Sequence, residues 1–358
     1  MSPGVGGEKE CQGYAARDKS GHLAPFEFKR RAPGPKDVSL RISCCGVCHS
    51  DLHQIRGEWG GEIYPMVPGH EIVGIVEEVG SIVTRFKPGD RVGVGCMVDS
   101  CRKCDACKNK VEQYCLKGAV FTYNSKAHDG KNTYGGYSNY MVITEDFALH
   151  VPENLPLDAA APLLCAGITV YSPMKYYQME SGGKNFGVVG LGGLGHIAAK
   201  IAKAMGMHVT VISTSPSKEQ EAKKVLGADN FIFSKDEKQM EAAKATLDFI
   251  IDTVSVLHPV DPYLDLLRTN GKLILVGLSP GQMQFIPIPV VLGRKTIGGS
   301  LIGGVEETQE MLDFCGKHNI VSEIEKIPID YINTAMERLE KGHVQNRFVI
   351  DCENSFNP

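Results

Sequence analysis

The chain has 358 residues, 42% of them hydrophobic, and a formal net charge of −4. That length exceeds one ordinary core and predicts two domains. No stretch reaches the roughly 18 apolar residues of a membrane span, and a mild negative charge without a basic run leaves no footprint for nucleic acid. Twelve cysteines in so long a chain fall short of a disulfide scaffold, and four stand at metal spacing, which implies a reducing compartment. Residues Met1 to Glu10 are Gly-rich and polar and have no apolar signal core. The expectation is a soluble, cytoplasmic protein with a small-molecule substrate and neither a nucleic-acid nor a membrane partner.

From the N-terminal side, Val38 to Ile42, Ile72 to Val79, Arg91 to Val94 and Tyr140 to Ile143 are short β-like runs punctuated by Gly and Pro. They predict a β-rich, barrel-like domain with functional loops. Within it Cys101, Cys104, Cys107 and Cys115 follow the spacing C-x2-C-x2-C-x7-C. Thiolates so spaced can bend onto one zinc at about 2.3 Å per bond, and four of them close the coordination sphere, so this site is structural. The segment Phe121 to Tyr137 reads as an exposed loop behind this lobe.

After Cys165 the texture changes. Apolar runs at Phe186 to Val189, Val209 to Ser213, Phe231 to Phe233, Phe249 to Thr253, Leu273 to Val276 and Thr296 to Leu301 alternate with helical patterns. Six strands separated by helices predict a doubly wound parallel sheet, hence an α/β protein. A helix over Glu307 to His318 and a strand over Arg347 to Asp351 lie beyond the sixth strand, so the chain is expected to return to the first domain.

The first of those strands runs into Gly190-Leu191-Gly192-Gly193-Leu194-Gly195, a G-x-G-x-x-G. Leu194, Ile197, Ala198, Ile201, Ala202 and Met205 then recur on one helical face. In that context the glycines permit a tight turn, and a pyrophosphate can rest on the helix N-terminus. An NAD site usually carries Asp or Glu about 20 residues on, to accept from the ribose 2′-OH. Here the second strand ends Ser213-Thr214-Ser215-Pro216-Ser217-Lys218, with no acid. Hydroxyls at Ser213, Thr214 and Ser215 can donate to a 2′-phosphate and Lys218 supplies a cation, so NADP(H) is favoured over a bland Ser-rich cap.

Three further segments offer metal ligands: Cys48 in Cys45-Gly46-Val47-Cys48-His49-Ser50-Asp51, His70 with Glu71 in Gly69-His70-Glu71, and Cys165 in Leu164-Cys165-Ala166-Gly167. Two thiolates, one imidazole and an exchangeable position would make a catalytic zinc. Spacing alone supports this weakly: a Cys165 buried in an apolar run is more often a small core residue, and His70 reads also as a turn cap.

Taken in order, Cys-Gly-Val-Cys-His-Ser-Asp-Leu-His, Gly-His-Glu, the four-cysteine lobe, Leu-Leu-Cys-Ala-Gly and Gly-Leu-Gly-Gly-Leu-Gly resemble the zinc-dependent medium-chain alcohol dehydrogenases. Within these the chain is similar to the plant cinnamyl alcohol dehydrogenase group, with its sinapyl, mannitol, terpenoid and alkaloid relatives. Ala-Ala-Arg-Asp-Lys-Ser-Gly near the start and Asn-Thr-Ala-Met-Glu-Arg-Leu near the end extend the likeness over nearly the whole chain. The resemblance implies a GroES-like catalytic domain over residues 1–165 with 304–358, and a Rossmann domain over 166–303. It implies Cys48, His70, Glu71 and Cys165 at a catalytic zinc and Cys101, Cys104, Cys107 and Cys115 at a structural one, two zinc ions per chain. Ser50 and His53 become a proton relay. The cofactor set becomes Ser50, Thr169, Gly190, Leu191, Gly192, Gly193, Leu194, Gly195, Ser213, Thr214, Ser215, Lys218, Thr253, Val276, Gly277 and Ser300. A homodimer through the edge near Thr296 to Leu301 is implied as well.

The implied activity is an NADPH-dependent aldehyde reductase and alcohol dehydrogenase acting on a cinnamyl-type, terpenoid or alkaloid aldehyde of plant specialised metabolism. One departure bears on substrate: where lignin-type members carry a tryptophan shortly after the last lobe cysteine, Cys115 is followed by Leu-Lys-Gly-Ala-Val-Phe, and the one tryptophan is Trp59. Trp59, Met97, Val98, Val120, Phe121, Ile302 and Pro289 to Leu292 are the expected pocket walls. The competing readings are a zinc-independent reductase of an iminium or conjugated C=C bond, and a non-catalytic nucleotide-binding scaffold.

Overall fold

The computed structural model describes residues 7–180, 182–279, 281–344 and 347–356. The chain divides into two compact units, Met1–Cys165 with Gly304–Pro358, and Ala166–Gly303.

The first unit opens on an antiparallel hairpin, β1 (Lys9–Ala16) with β2 (Leu23–Arg30), which sequence reading passed over. It continues through β3 (Asp37–Val47), β4 (Ile72–Val79), β5 (Arg91–Val94), β6 (Met97–Asp99), β7 (Val120–Phe121), β8 (Tyr140–Thr144) and β9 (Leu149–His150). β3 is the organising strand. It pairs with β4 along one edge and its N-terminal half pairs with β8 along the other. Register shifts at Ser39/Leu40 and Ile42/Cys44 bend it, as bulges do. Flanked in this way, it is buried along almost its whole length, and its end delivers Cys48 directly to the helix His49–Ile55.

The second unit holds β10 (Asn185–Val189), β11 (His208–Ser213), β12 (Asn230–Phe233), β13 (Leu247–Asp252), β14 (Leu267–Leu275) and β15 (Thr296–Gly299). All pair in parallel, in the order β12-β11-β10-β13-β14-β15. The order reverses between β10 and β13, which opens a crevice at their carboxyl ends where such sheets bind ligands. The helix Gly195–Ala204 packs Ile197, Ala198, Ile201 and Ala202 into full burial, while Leu194 and Met205 flank it as caps. Val189, Ile212, Ile250, Leu264 and Leu273 form the centre of this unit's core.

The chain then returns. β16 (Ile324–Ile327) and β17 (Arg347–Asp351) join the first unit's sheet, with β17 antiparallel to the C-terminal half of β3, beside β8. Phe348 through Ile350 are wholly buried there, so the last strand is part of the first unit's core. Among the described residues, no single helix is long and apolar enough to cross a membrane.

Candidate metal centres and cofactor site

The lobe thiols gather as a tetrahedral ion requires. Cys104 Sγ lies 3.5 Å from Cys107 Sγ and 3.9 Å from Cys115 Sγ, and Cys101 Sγ lies 3.9 Å from Cys107 Sγ. Four sulfurs on one zinc would stand roughly 3.8 Å apart, so this donor set fits the metal. Backbone amides support the charge: Cys104 N–H donates to Cys101 Sγ at 3.4 Å, Leu116 N–H to Cys104 Sγ at 3.4 Å, and Cys101 N–H to Cys115 Sγ at 3.5 Å. The amides of Cys107 and Leu116 bring the Cys104 thiol down to about 6, while burial pushes Cys107 up to about 11.

A second cluster is fully enclosed. Ligand atoms of Cys48, His70, Glu71 and Cys165 all lie within 4.8 Å of one another, and all four residues are buried. The Cys165 contact, with Arg347 and His70 behind it, drives the Cys48 thiol far below its usual range, whereas Cys48 and Cys96 drive Cys165 up. Two thiols competing for one proton inside a low-dielectric site is an arrangement that a divalent cation relieves.

Asp51, fully buried, fixes the geometry. It is the third residue of the helix that starts after Cys48, a capping-box position, and its Oδ2 accepts the Cys48 amide at 2.9 Å. The same carboxylate accepts from the Tyr137 hydroxyl at 3.2 Å, from Gly69 N–H at 3.0 Å and from His70 Nδ1 at 3.1 Å. With Nδ1 committed to Asp51, Nε2 is the His70 atom left for a metal. Burial opposes charge on His70, but Asp51 outweighs it and raises the ring well above its ordinary value.

Arg347, from β17, is a component that sequence reading missed. Its guanidinium pairs with Glu71 Oε1 and comes within 4.0 Å of Cys48 Sγ, and both charged partners are buried. Burial pushes the Glu71 carboxyl up to about 7 against the pull of Arg347, and Glu71 Oε2 has no hydrogen-bond partner. Asp51 was visible in the motif but had no role assigned to it. Arg347 gave no signal, standing 276 residues from Glu71.

Ser50 and His53 lie on the helix His49–Ile55, one turn apart. Ser50 Oγ accepts from Cys48 Sγ at 3.6 Å. His53 Nδ1 contacts Glu58, and its ring stacks on Trp59 with centroids 5.2 Å apart. Trp59 is therefore a partly exposed cover for His53. Met97 and Val120 are buried on the β6–β7 ribbon, Phe121 is exposed, Val98 half-buried, and Ile302 buried in the second unit. Pro289 to Leu292 fall on the helix Pro287–Gly293, which has no buried residue.

The loop expectation needs correction: Thr122, Tyr123 and residues 135–137 are buried, and the exposed positions are Phe121 and a stretch within 126–131. The Arg30 guanidinium donates to the carbonyls of Tyr134 and Gly135, Tyr137 binds Asp51, and the Tyr123 ring stacks on His70. Polar composition concealed an anchored loop.

In the second unit the turn Gly190 to Gly195 sits where β10 meets its helix. Gly190 has φ +87°, and a Cβ at Gly195 would overlap the Gly190 carbonyl, so helix and strand pack as only glycine allows. A Cβ at Gly192 would meet nothing within 4 Å, which leaves open space for a ligand at the helix N-terminus. Gly193 and Leu194 are half-buried and Leu191 is buried, and Lys218 Nζ donates to the Leu191 carbonyl, so the turn and the Ser-rich strand end adjoin. Ser213 is buried at the end of β11, Ser215 N–H donates to its hydroxyl at 3.2 Å, and Thr214 is exposed. Thr253 joins the same site, its hydroxyl donating to the Val189 carbonyl at 2.8 Å. The amides of Val276 and Gly277 both donate to the Asp252 carbonyl. Thr169 is buried on the helix Ala166–Tyr176, and Ser300 N–H donates to the Leu275 carbonyl.

Fold and site define a two-unit dehydrogenase built around zinc-binding and dinucleotide-binding motifs. Residues 34–153 match the alcohol dehydrogenase GroES-like domain and residues 193–317 the zinc-binding dehydrogenase family. The chain belongs to the zinc-binding alcohol dehydrogenase family. It is 57% identical to the 8-hydroxygeraniol dehydrogenase of Catharanthus roseus, over 99% of this chain and 98% of that one. Its fold is similar to a cinnamyl alcohol dehydrogenase of Sorghum bicolor, with TM-score 0.94, 52% identity, and coverage of 97% of this chain and 99% of that one. It is also similar to the Helicobacter pylori cinnamyl alcohol dehydrogenase complexed with NADP(H), with TM-score 0.90, 45% identity, and coverage of 98% and 100%.

Proposed function

We propose that this chain is an NADP(H)-dependent zinc alcohol dehydrogenase that reduces an aldehyde to a primary alcohol. The observation that carries the reading is the intact, buried set Cys48, His70, Glu71 and Cys165, with a hydroxyl at Ser50 beside it. When bound, the zinc supplies Lewis acidity toward an alcohol or carbonyl oxygen and NADPH supplies the hydride. Cys48, His70 and Cys165 would hold that metal, with Glu71 as the exchangeable neighbour. Asp51 orients the His70 ring. Ser50 accepts or returns the substrate proton, and His53, steadied by Glu58 and Trp59, exchanges it with water. Cys101, Cys104, Cys107 and Cys115 would hold the structural ion. A strand end with hydroxyls at Ser213, Thr214 and Ser215, a cation at Lys218 and no acid supports NADP(H) over NAD(H).

The substrate class we infer is a primary allylic alcohol and its conjugated aldehyde. The names of the Catharanthus and Sorghum relatives, 8-hydroxygeraniol and cinnamyl alcohol dehydrogenase, share that chemistry. The missing tryptophan after Cys115 favours a terpenoid or alkaloid aldehyde over a lignin precursor. Twelve cysteines, none joined in a disulfide, support a cytoplasmic location. An edge strand, β15, beside the helix Pro287–Gly293 with exposed Val291 and Leu292 supports a homodimer through that edge.

The test combines metal analysis with turnover. Purified protein is expected to hold about two zinc ions per chain and to oxidise NADPH with cinnamyl, monoterpenoid or alkaloid aldehydes. Cys165→Ala should keep the structural zinc, lose the other, and lose turnover. Full activity in that variant would replace this reading with a zinc-independent reduction.

A further inference from the structure

The second unit also holds a hydrogen-bonded Asp–His pair that no step of the proposed reaction uses. Asp252, the last residue of β13, is 1% exposed and stands in register between Val189 of β10 and Leu275 of β14, at the centre of the sheet. Its Oδ1 accepts the Val254 amide at 3.1 Å, and its Oδ2 lies 2.7 Å from His258 Nε2. The other ring nitrogen, His258 Nδ1, lies 2.7 Å from the Val256 carbonyl oxygen. A carbonyl can only accept. The Val256 carbonyl requires a hydrogen on Nδ1, and one proton then lies between Nε2 and Asp252 Oδ2, so the ring satisfies the buried carboxyl and the carbonyl together.

The segment clasped in this way, Thr253 to Leu257, bears on the glycine turn. Thr253 donates through N–H and hydroxyl to the Val189 carbonyl at 3.0 and 2.8 Å. A Cβ on Gly190 would stand 2.9 Å from Thr253 Oγ1 and 3.1 Å from Val254 Cγ2, and a Cβ on Gly277 would overlap the Val254 carbonyl. Thr253 and Val254 are therefore packed between the first and fifth strand ends of the sheet, and their position depends on what holds the remainder of the segment.

We infer that His258 is a positioning residue for the cofactor, bridging Val256 and the buried Asp252 so that Thr253 and Val254 stay seated against the glycine turn. The inference rests on the cofactor site proposed above. Without the ring, the buried Asp252 carboxyl keeps one amide donor and its Oδ2 is left without a partner, which loosens the segment that begins at Thr253.

The experiment measures NADPH affinity by the fluorescence of the bound cofactor, and steady-state turnover at saturating NADPH, on the full chain. H258A is expected to raise the NADPH Kd about tenfold, as loss of buried hydrogen bonds does. Its kcat should stay within about twofold of the parent, since only binding is affected. The double variant D252N/H258A, which removes the stranded carboxyl with its partner, should return to within about threefold of the parent. A ring that only fills space would show no such recovery. Should H258A fail to fold, H258Q, which keeps one donor for Asp252, is expected to lose about threefold in NADPH affinity. An unchanged Kd, a fall in kcat alone, or a double variant no tighter than H258A overturns the inference. Absence of NADPH binding by the parent protein would instead overturn the cofactor reading beneath it.

Discussion

Asp51 accepts hydrogen bonds from the Cys48 and Gly69 amides, the Tyr137 hydroxyl and the His70 ring, so one carboxylate sets two segments of the candidate metal centre in place. Arg347 plays the corresponding part for Glu71, and the pair is buried. Removing one member of a buried ion pair strands the other, at a cost of about 3–5 kcal/mol. Arg347→Ala should therefore lower the denaturation midpoint of the zinc-loaded protein by a corresponding amount, and an unchanged midpoint would mean the pair is not a stabilising element. At this scale the sequence disclosed the chemistry-bearing types but not their partners. Cys48, His70 and Cys165 stand out through the resemblance of their motifs to the family, since spacing alone left Cys165 a core residue and His70 a turn cap. An arginine 276 residues from its glutamate carries no local mark, because the pairing exists only once β17 lies against β3.

Among elements, the glycine turn separates packing from binding. Gly195 presses on the Gly190 carbonyl, whereas Gly192 faces open space. Gly195→Ala should lower the melting temperature markedly, by pushing the helix Gly195–Ala204 off β10. Gly192→Ala should melt as the parent does yet bind NADPH at least about tenfold more weakly, because the added methyl occupies ligand space. Calorimetry paired with NADPH titration checks both, and equal melting losses in the two variants would contradict this division. The turn was legible because strand, glycines and an amphipathic helix follow one another within a short span. The β1–β2 hairpin was not, since Lys9–Ala16 alternates weakly and is held by backbone hydrogen bonds to distant Tyr137 and Met66. The Phe121 to Tyr137 loop failed for a related reason: its polar residues hide the backbone carbonyls that Arg30 holds.

On the scale of the whole molecule, the helix Pro287–Gly293, which leads into the edge strand β15, presents apolar side chains, with Val291 74% and Leu292 81% exposed. Val291→Lys should convert a dimer to a monomer in light scattering with the second unit's NADPH site retained, and a parent protein that is monomeric at micromolar concentration would remove the dimer from the proposal. What the sequence determined by itself was the kind of chemistry and the sheet class, because ligand spacing, glycine placement and strand–helix alternation are local properties. Tertiary structure alone decided the carboxylate behind His70, the arginine behind Glu71 and the His258–Asp252 clasp. Each couples polar groups through hydrogen bonds or charge, and only a folded, water-poor interior makes those contacts strong enough to choose a partner.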